Sequence, residues 1–194
     1  ISTSLPMILA EELMVDWTKV KMVLAGAGDG YCRPSSKTAV GSSQSSGGSN
    51  SVRGYHDYLR HLGAKIRLQM LTAARTYNSG SYALSDLKVV DGVVRRVSDD
   101  GAVATYGELA PTAAAVSIAD SDTNIVWVTP ADYRIIGTRK QRLDVPEKVN
   151  GSAVFGLDVR LPGMKYAAVR LAPKVGQTLG TVGSAPAGVT VVEL

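Results

Sequence analysis

The residues best suited to chemistry in this chain lie in one stretch, Ser45-Ser46-Gly47-Gly48-Ser49-Asn50-Ser51-Val52-Arg53-Gly54. Adjacent glycines let a backbone approach a ligand closely, and the flanking hydroxyls can donate to anionic oxygens. Tyr55 to Tyr77 behind it has helical periodicity, so the positive N-terminal end of a helix points at the same place. Ser46, Gly47, Gly48, Ser49 and Ser51 therefore have the make-up of a phosphate cradle. The same residues also describe a flexible loop that merely enters a helix, because serine and glycine are ordinary loop and N-cap residues.

No second constellation competes with this one. Gly26-Ala27-Gly28-Asp29-Gly30 follows an apolar run, but the third glycine of G-x-G-x-x-G would fall on Tyr31, and Pro34 with a serine-rich run replaces the helix a dinucleotide fold needs. There is no G-x-S-x-G elbow, so a serine hydrolase is set aside. Cys32 is the only cysteine, which excludes an internal disulfide and any zinc or iron–sulfur centre built from this chain's thiols. His56 and His61 are five apart, a poor spacing for joint ligation on one helix face, and read as surface or edge residues. No catalytic and no metal-ligating residue is assigned.

The elements that must position the cradle come next. Ser2-Thr3-Ser4-Leu5-Pro6 opens a helix running to about Val15, with a hydroxyl cap, Leu5, Ile8, Leu9 and Leu13 inward, and Glu11 and Glu12 as surface charges. A helix so close to the first residue is expected to have something before it. Val20 to Leu24 reads as a strand. In the long helix Tyr55, Tyr58, Leu59, Leu62, Ile66, Met70, Ala73 and Tyr77 form a stripe, with Arg53, Asp57, Arg60, Lys65 and Arg67 on the remaining surface. Gly63 costs that helix about 1 kcal/mol relative to alanine, and close approach of another backbone is its best explanation.

Leu87 to Val90, Asp91-Gly92 and Val93 to Val97 read as a hairpin, followed by a turn at Asp99-Asp100-Gly101 and a third strand. Thr105-Tyr106-Gly107-Glu108 has capping-box spacing ahead of a short helix, Leu109 to Ala115. Residues 117 to 138 read as a surface connection, and 140 as a domain boundary. Beyond it, Arg142 to Val169 reads as strand, Pro162-Gly163 turn, strand. The fold class is α+β.

Composition bounds the rest. With 45% hydrophobic and 20% charged residues over 194, the chain can bury a real core. A net charge of +4 spread without clusters, with few aromatic platforms, argues against nucleic acid. No run reaches the roughly 18 apolar residues of a membrane span. Ile1 to Ala10 lacks the basic start and cleavage site of a signal peptide and reads as mature protein.

The order of these pieces carries a resemblance. Ile1 to Val15, then Ser46-Gly47-Gly48-Ser49-Asn50-Ser51-Val52-Arg53-Gly54, then Thr105 to Leu109, then Lys148-Val149-Asn150-Gly151 through Pro162-Gly163-Met164-Lys165-Tyr166-Ala167-Ala168-Val169 resembles the large (beta) subunit of the isoquinoline 1-oxidoreductase group. These are molybdenum hydroxylases of the xanthine oxidase and aldehyde oxidoreductase superfamily. The resemblance implies part of a molybdopterin-binding domain with a hairpin insertion at 1–140, and the start of an aldehyde oxidase a/b hammerhead domain at 141–194.

It further implies a molybdopterin cytosine dinucleotide cofactor carrying molybdenum, and hydroxylation of an N-heterocycle or oxidation of an aldehyde with oxygen drawn from water. Electrons would leave through a small partner subunit with two [2Fe–2S] clusters, toward a cytochrome c or a quinone. Ser46, Gly47, Gly48, Ser49 and Ser51 occupy the family loop that wraps the pterin and its phosphates. The family's Gly-Gln-Gly, which precedes the position of Ile1, is not in this sequence, and its glutamate base belongs to a far C-terminal Gly-Glu motif that this chain does not reach. Glu11, Glu12, Glu108 and Glu147 are not substitutes for it. Family subunits are several times longer, so a fragment or a split subunit needing the remainder of the large subunit is expected. Export to the periplasm is the family's habit. The alternative is a noncatalytic assembly or scaffold module with a flexible Ser/Gly loop.

Overall fold

Thr3 and Pro6 start the first helix, α1 (Ser4–Leu13), but Thr3 does not cap it; its hydroxyl accepts the Leu143 N–H at 3.0 Å instead. The helix stops at Met14, whose left-handed φ of 53° closes it without a glycine. This computed structural model describes residues 1–178 and 180–192, so Leu179, Glu193 and Leu194 of the expected second domain lie outside the described residues. The chain divides into two compact units, Ile1–Ala153 and Val154–Leu194.

Helix α2 (Asn50–Ala74) is the axis of the first unit. It begins at Asn50, a turn earlier than the aromatic periodicity alone requires. Its most buried positions are Gly63, Ala64, Leu68, Ala73 and Ala74, while the tyrosines and leucines of the expected stripe are half-buried around them. Small residues bring other backbones onto the helix, and the larger ones close the sides of the contact. Gly63 does what the sequence implied: a Cβ there would stand 2.7 Å from the Cβ of Glu12 and 3.2 Å from the carbonyl oxygen of Leu9, so α1 crosses α2 at this point.

The hairpin is β1 (Leu87–Val90) and β2 (Val93–Arg96), antiparallel with Val90 opposite Val93. Asp91 and Gly92 both have positive φ, 52° and 76°, as a two-residue turn matched to strand twist demands. Strand β3 (Ala102–Thr105) pairs with β2 through an irregularity at Val94/Arg95. Helix α3 (Tyr106–Ala113) follows at once, with Thr105 accepting the Glu108 N–H and Glu108 accepting the Thr105 N–H. Leu87, Val89, Val94, Ala104 and Leu109 pack with Ala73 and Ala74 of α2 as the hydrophobic core.

Two sequence expectations fail. Val20 to Leu24 forms no strand, and Val23 and Leu24 are exposed; β-branched residues need a ladder partner, and none of the described residues supplies one. The start of the expected strand at 142–159 is instead α4 (Val145–Asn150), with Pro146 in its first turn and Gly151 left-handed at its end, the positions where those residues favour a helix. In the second unit the Pro162-Gly163 turn is present, closed by the Met164 N–H on the Leu161 carbonyl at 3.0 Å, but no strand flanks it among the described residues.

Two outcomes follow from this packing. Leu109 is fully buried, so Leu109→Ala should lower stability by about 2–5 kcal/mol in urea titration. Arg96 and then the Gly101 N–H hold the Asp99 carboxyl down at about 2, so its contribution is present above the unfolded carboxylate range and fades as pH falls toward 2. Asp99→Asn should flatten that limb of a stability-against-pH curve; an unchanged limb would remove the hairpin turn as its source.

Candidate functional site

Glu11 and Glu12 are not surface charges. Both are buried, 3% and 0% exposed, on the face of α1 that meets α2 and the segment 126–136. An unpaired buried carboxylate is prohibitively costly, so its partners define the local structure. Glu11 accepts three consecutive amides, from Arg134 at 2.8 Å, Ile135 at 2.8 Å and Ile136 at 2.6 Å. Glu12 accepts the Arg60 Nε at 2.6 Å and the Val128 amide at 2.9 Å, with Arg67 Nη1 3.6 Å from its other oxygen.

Arg60 and Arg67, expected on the surface, are accordingly almost fully covered. Arg60 also donates to the Val128 carbonyl and lies over the Trp127 ring, 4.6 Å from its centre. Arg67 donates to the carbonyls of Glu12 and Val126. Burial pulls the Arg67 guanidinium below its usual range, and Glu12 opposes that. Residues 117–138 are irregular as expected, yet residues 126–136 are strapped to both helices rather than laid loosely over them, with Val128 and Ile135 buried. A readable signal existed: Arg60 and Arg67 stand three before and four after Gly63, a pattern that places both guanidinium groups around whatever crosses at the glycine.

His61 is a further correction, being 5% exposed rather than a surface residue. Its Nε2 stands 3.4 Å from Asp120 Oδ1, which accepts Lys65 Nζ at 2.7 Å; that lysine bond and then His61 hold the Asp120 carboxyl below its usual range. An open cleft of about 390 Å³ lies beside them, walled by Trp127 and Ile125.

The Ser/Gly loop sits at the N-terminus of α2, as read from the sequence. Ser46, Gly47, Gly48 and Ser49 are exposed and Ser51 is half-buried. Gly48 and Ser49 both have positive φ, 55° and 56°, and Ser49 makes no capping bond with its side chain. The Asn50 amide closes on the Gly47 carbonyl at 3.0 Å, and the Ser46 and Ser51 hydroxyls are 3.2 Å apart. The loop thus places the five expected residues at the helix entrance, four of them exposed and Ser51 half-buried. Among the described residues, no group of histidine, cysteine and carboxylate side chains could hold a metal ion, and no helix is long and apolar enough to cross a membrane.

No family model matches the chain. It is 33% identical to the beta chain of isoquinoline 1-oxidoreductase from Brevundimonas diminuta, over 90% of its own length and 25% of that protein. It is 29% identical to a nicotinate dehydrogenase subunit of Pseudomonas putida, over 93% of its length and 14% of the relative. It is 28% identical to a membrane-bound aldehyde dehydrogenase [pyrroloquinoline-quinone] of Gluconacetobacter polyoxogenes, over 89% of its length and 21% of the relative. The chain therefore spans a quarter or less of the curated relatives it matches.

This similarity, over 89–93% of the chain, relates it to oxidoreductases of the molybdenum-hydroxylase type. Within that class the relationship is to the large, beta-type subunits of the isoquinoline 1-oxidoreductase group, whose motif order the sequence resembles. The carboxylate network around Glu12 is the part of the structure whose removal is easiest to read. Glu12→Ala would leave Arg60 and Arg67 buried without their counter-charge, at a cost of about 3–5 kcal/mol in chemical denaturation. A loss below about 1 kcal/mol would mean that water reaches the guanidinium groups.

Proposed function

We propose that this chain is the cofactor-binding portion of the large subunit of a molybdenum hydroxylase, oxidising an N-heterocycle or an aldehyde with oxygen drawn from water. The relatives named for isoquinoline, nicotinate and aldehyde support the oxidoreductase class and the kind of substrate. Two of them are named as subunits, which supports partner subunits, and a small iron–sulfur subunit is the electron carrier this reading calls for.

The observation that carries the role of this chain is the Ser/Gly loop. It precedes a helix of 25 residues whose position is pinned, and the helix's first amides have no partner within the helix. The donor set suits a pyrophosphate: the backbone amides of the exposed residues Gly47, Gly48 and Ser49, hydroxyls on Ser46, Ser49 and Ser51, and the positive end of α2. No Cβ at Gly47 would meet any atom within 4 Å, so the space a phosphate would need at the backbone is open. A molybdopterin cytosine dinucleotide, when bound, would supply the oxygen-transfer and redox chemistry. The residues here bind and orient it; the general base belongs to another part of the large subunit.

A noncatalytic assembly module is the second reading, favoured by the exposure of Ser46 to Ser49. One pair of measurements separates the two. The natively purified full enzyme should contain molybdenum and a pterin nucleotide by metal analysis and mass spectrometry, and absence of both would leave the assembly module. Gly48→Val puts a β-branched residue at φ 55° and should abolish cofactor content while circular dichroism retains the helix signal. Normal cofactor content in that variant would remove the loop from the site.

A further inference from the structure

We infer that Glu12 and Gly63 are positioning residues for the Ser46–Ser51 loop: together they form a lock that fixes where the N-terminal end of α2 points. The inference rests on the cofactor role proposed above, and its core is geometric. Glu12 packs its Cβ into the hole left by Gly63, at a separation no side chain would allow. Its carboxylate is then held between Arg60 and Arg67, one turn to either side of that hole on the same helix. The glycine sets the distance between the helices, and the two guanidinium groups oppose sliding and rotation of α2 about the contact.

The crossing point is far from the loop. Thirteen residues separate Gly63 from Asn50, a lever of about 20 Å at the helical rise. A tilt of only about 5° at Gly63 therefore moves Asn50, and the loop before it, by about 2 Å. Binding and catalytic geometry tolerates roughly 0.5 Å before function falls, so a displacement too small to unfold the chain is large enough to spoil a cradle. The hydrogen-bond partners of Arg60 and Arg67 other than Glu12 are backbone carbonyls of the strap, at Val128 and Val126, and the strap itself is held to α1 by Glu11. Glu12, with Arg60 and Arg67, thus joins all three segments, and it is the one member of that network on α1.

The test uses the full enzyme with Glu12→Gln, Gly63→Ala and, as a comparison of similar destabilisation, Val94→Ala in the hairpin core. At matched losses of Tm, the first two should retain at most a tenth of the pterin nucleotide while Val94→Ala keeps most of it. Cofactor content that follows Tm alike in all three would overturn the inference. A second measurement is independent of the cofactor: pulsed dipolar distances between nitroxides on Val52→Cys and Lys88→Cys. Glu12→Gln and Gly63→Ala should shift or broaden that distance by about 2 Å and Val94→Ala should not; an unmoved distance would overturn the lock. A wild-type enzyme without pterin would remove the cofactor reading and leave the distances to decide the lock.

Discussion

Two adjacent carboxylates inside a helix interface are the constraint on which the first unit depends. Neighbouring residues on a helix diverge by about 100°, so Glu11 reaches one end of the strap at 134–136, while Glu12 reaches its other end at Val128 together with Arg60 and Arg67 of α2. Glu11 is satisfied by three backbone amides of the strap, and Glu12 by two arginines and one further amide. Burying each charge is unfavourable alone, and the hydrogen bonds that offset it dictate where an irregular chain must run. The strap owes its course to polar satisfaction as much as to apolar packing, with Val128 and Ile135 buried beside the amides that bind the carboxylates.

That arrangement accounts for what the sequence did and did not disclose. Local devices were legible because their physics is local. Asp91-Gly92 needed positive φ twice, Thr105 and Glu108 needed only each other, and Gly63 announced a close approach. Glu11, Glu12, Arg60, Arg67 and His61 were misplaced because charge is a guide to exposure only when the partner is unknown, and their partners lie 48 or more positions away. Val20 to Leu24 and the second unit failed for a related reason, since strand character in residues is not a strand without a neighbour to pair with.

The loop at Ser46 to Ser51 was legible as a helix entrance. What it meets beyond this stretch was not, because the relatives are four or more times longer. The structure adds something the motif could not: consecutive left-handed residues at Gly48 and Ser49, which turn the chain sharply into α2 and leave the hydroxyl of Ser49 free of the helix it precedes.

The ends of α1 carry a consequence for how this unit assembles. At its close, Met14 gives its carbonyl to the Gly92 amide, and Leu13 gives its own to the Tyr106 hydroxyl, 93 positions on. At its opening, Thr3 waits for Leu143, 140 positions on. Of the elements in this unit, the one that leaves the ribosome first therefore draws its terminal hydrogen bonds from segments made much later, and until α2 and the strap arrive its two carboxylates have only water for company. Nascent α1 is polar where mature α1 is dry, a difference that keeps an early helix soluble until its partners exist.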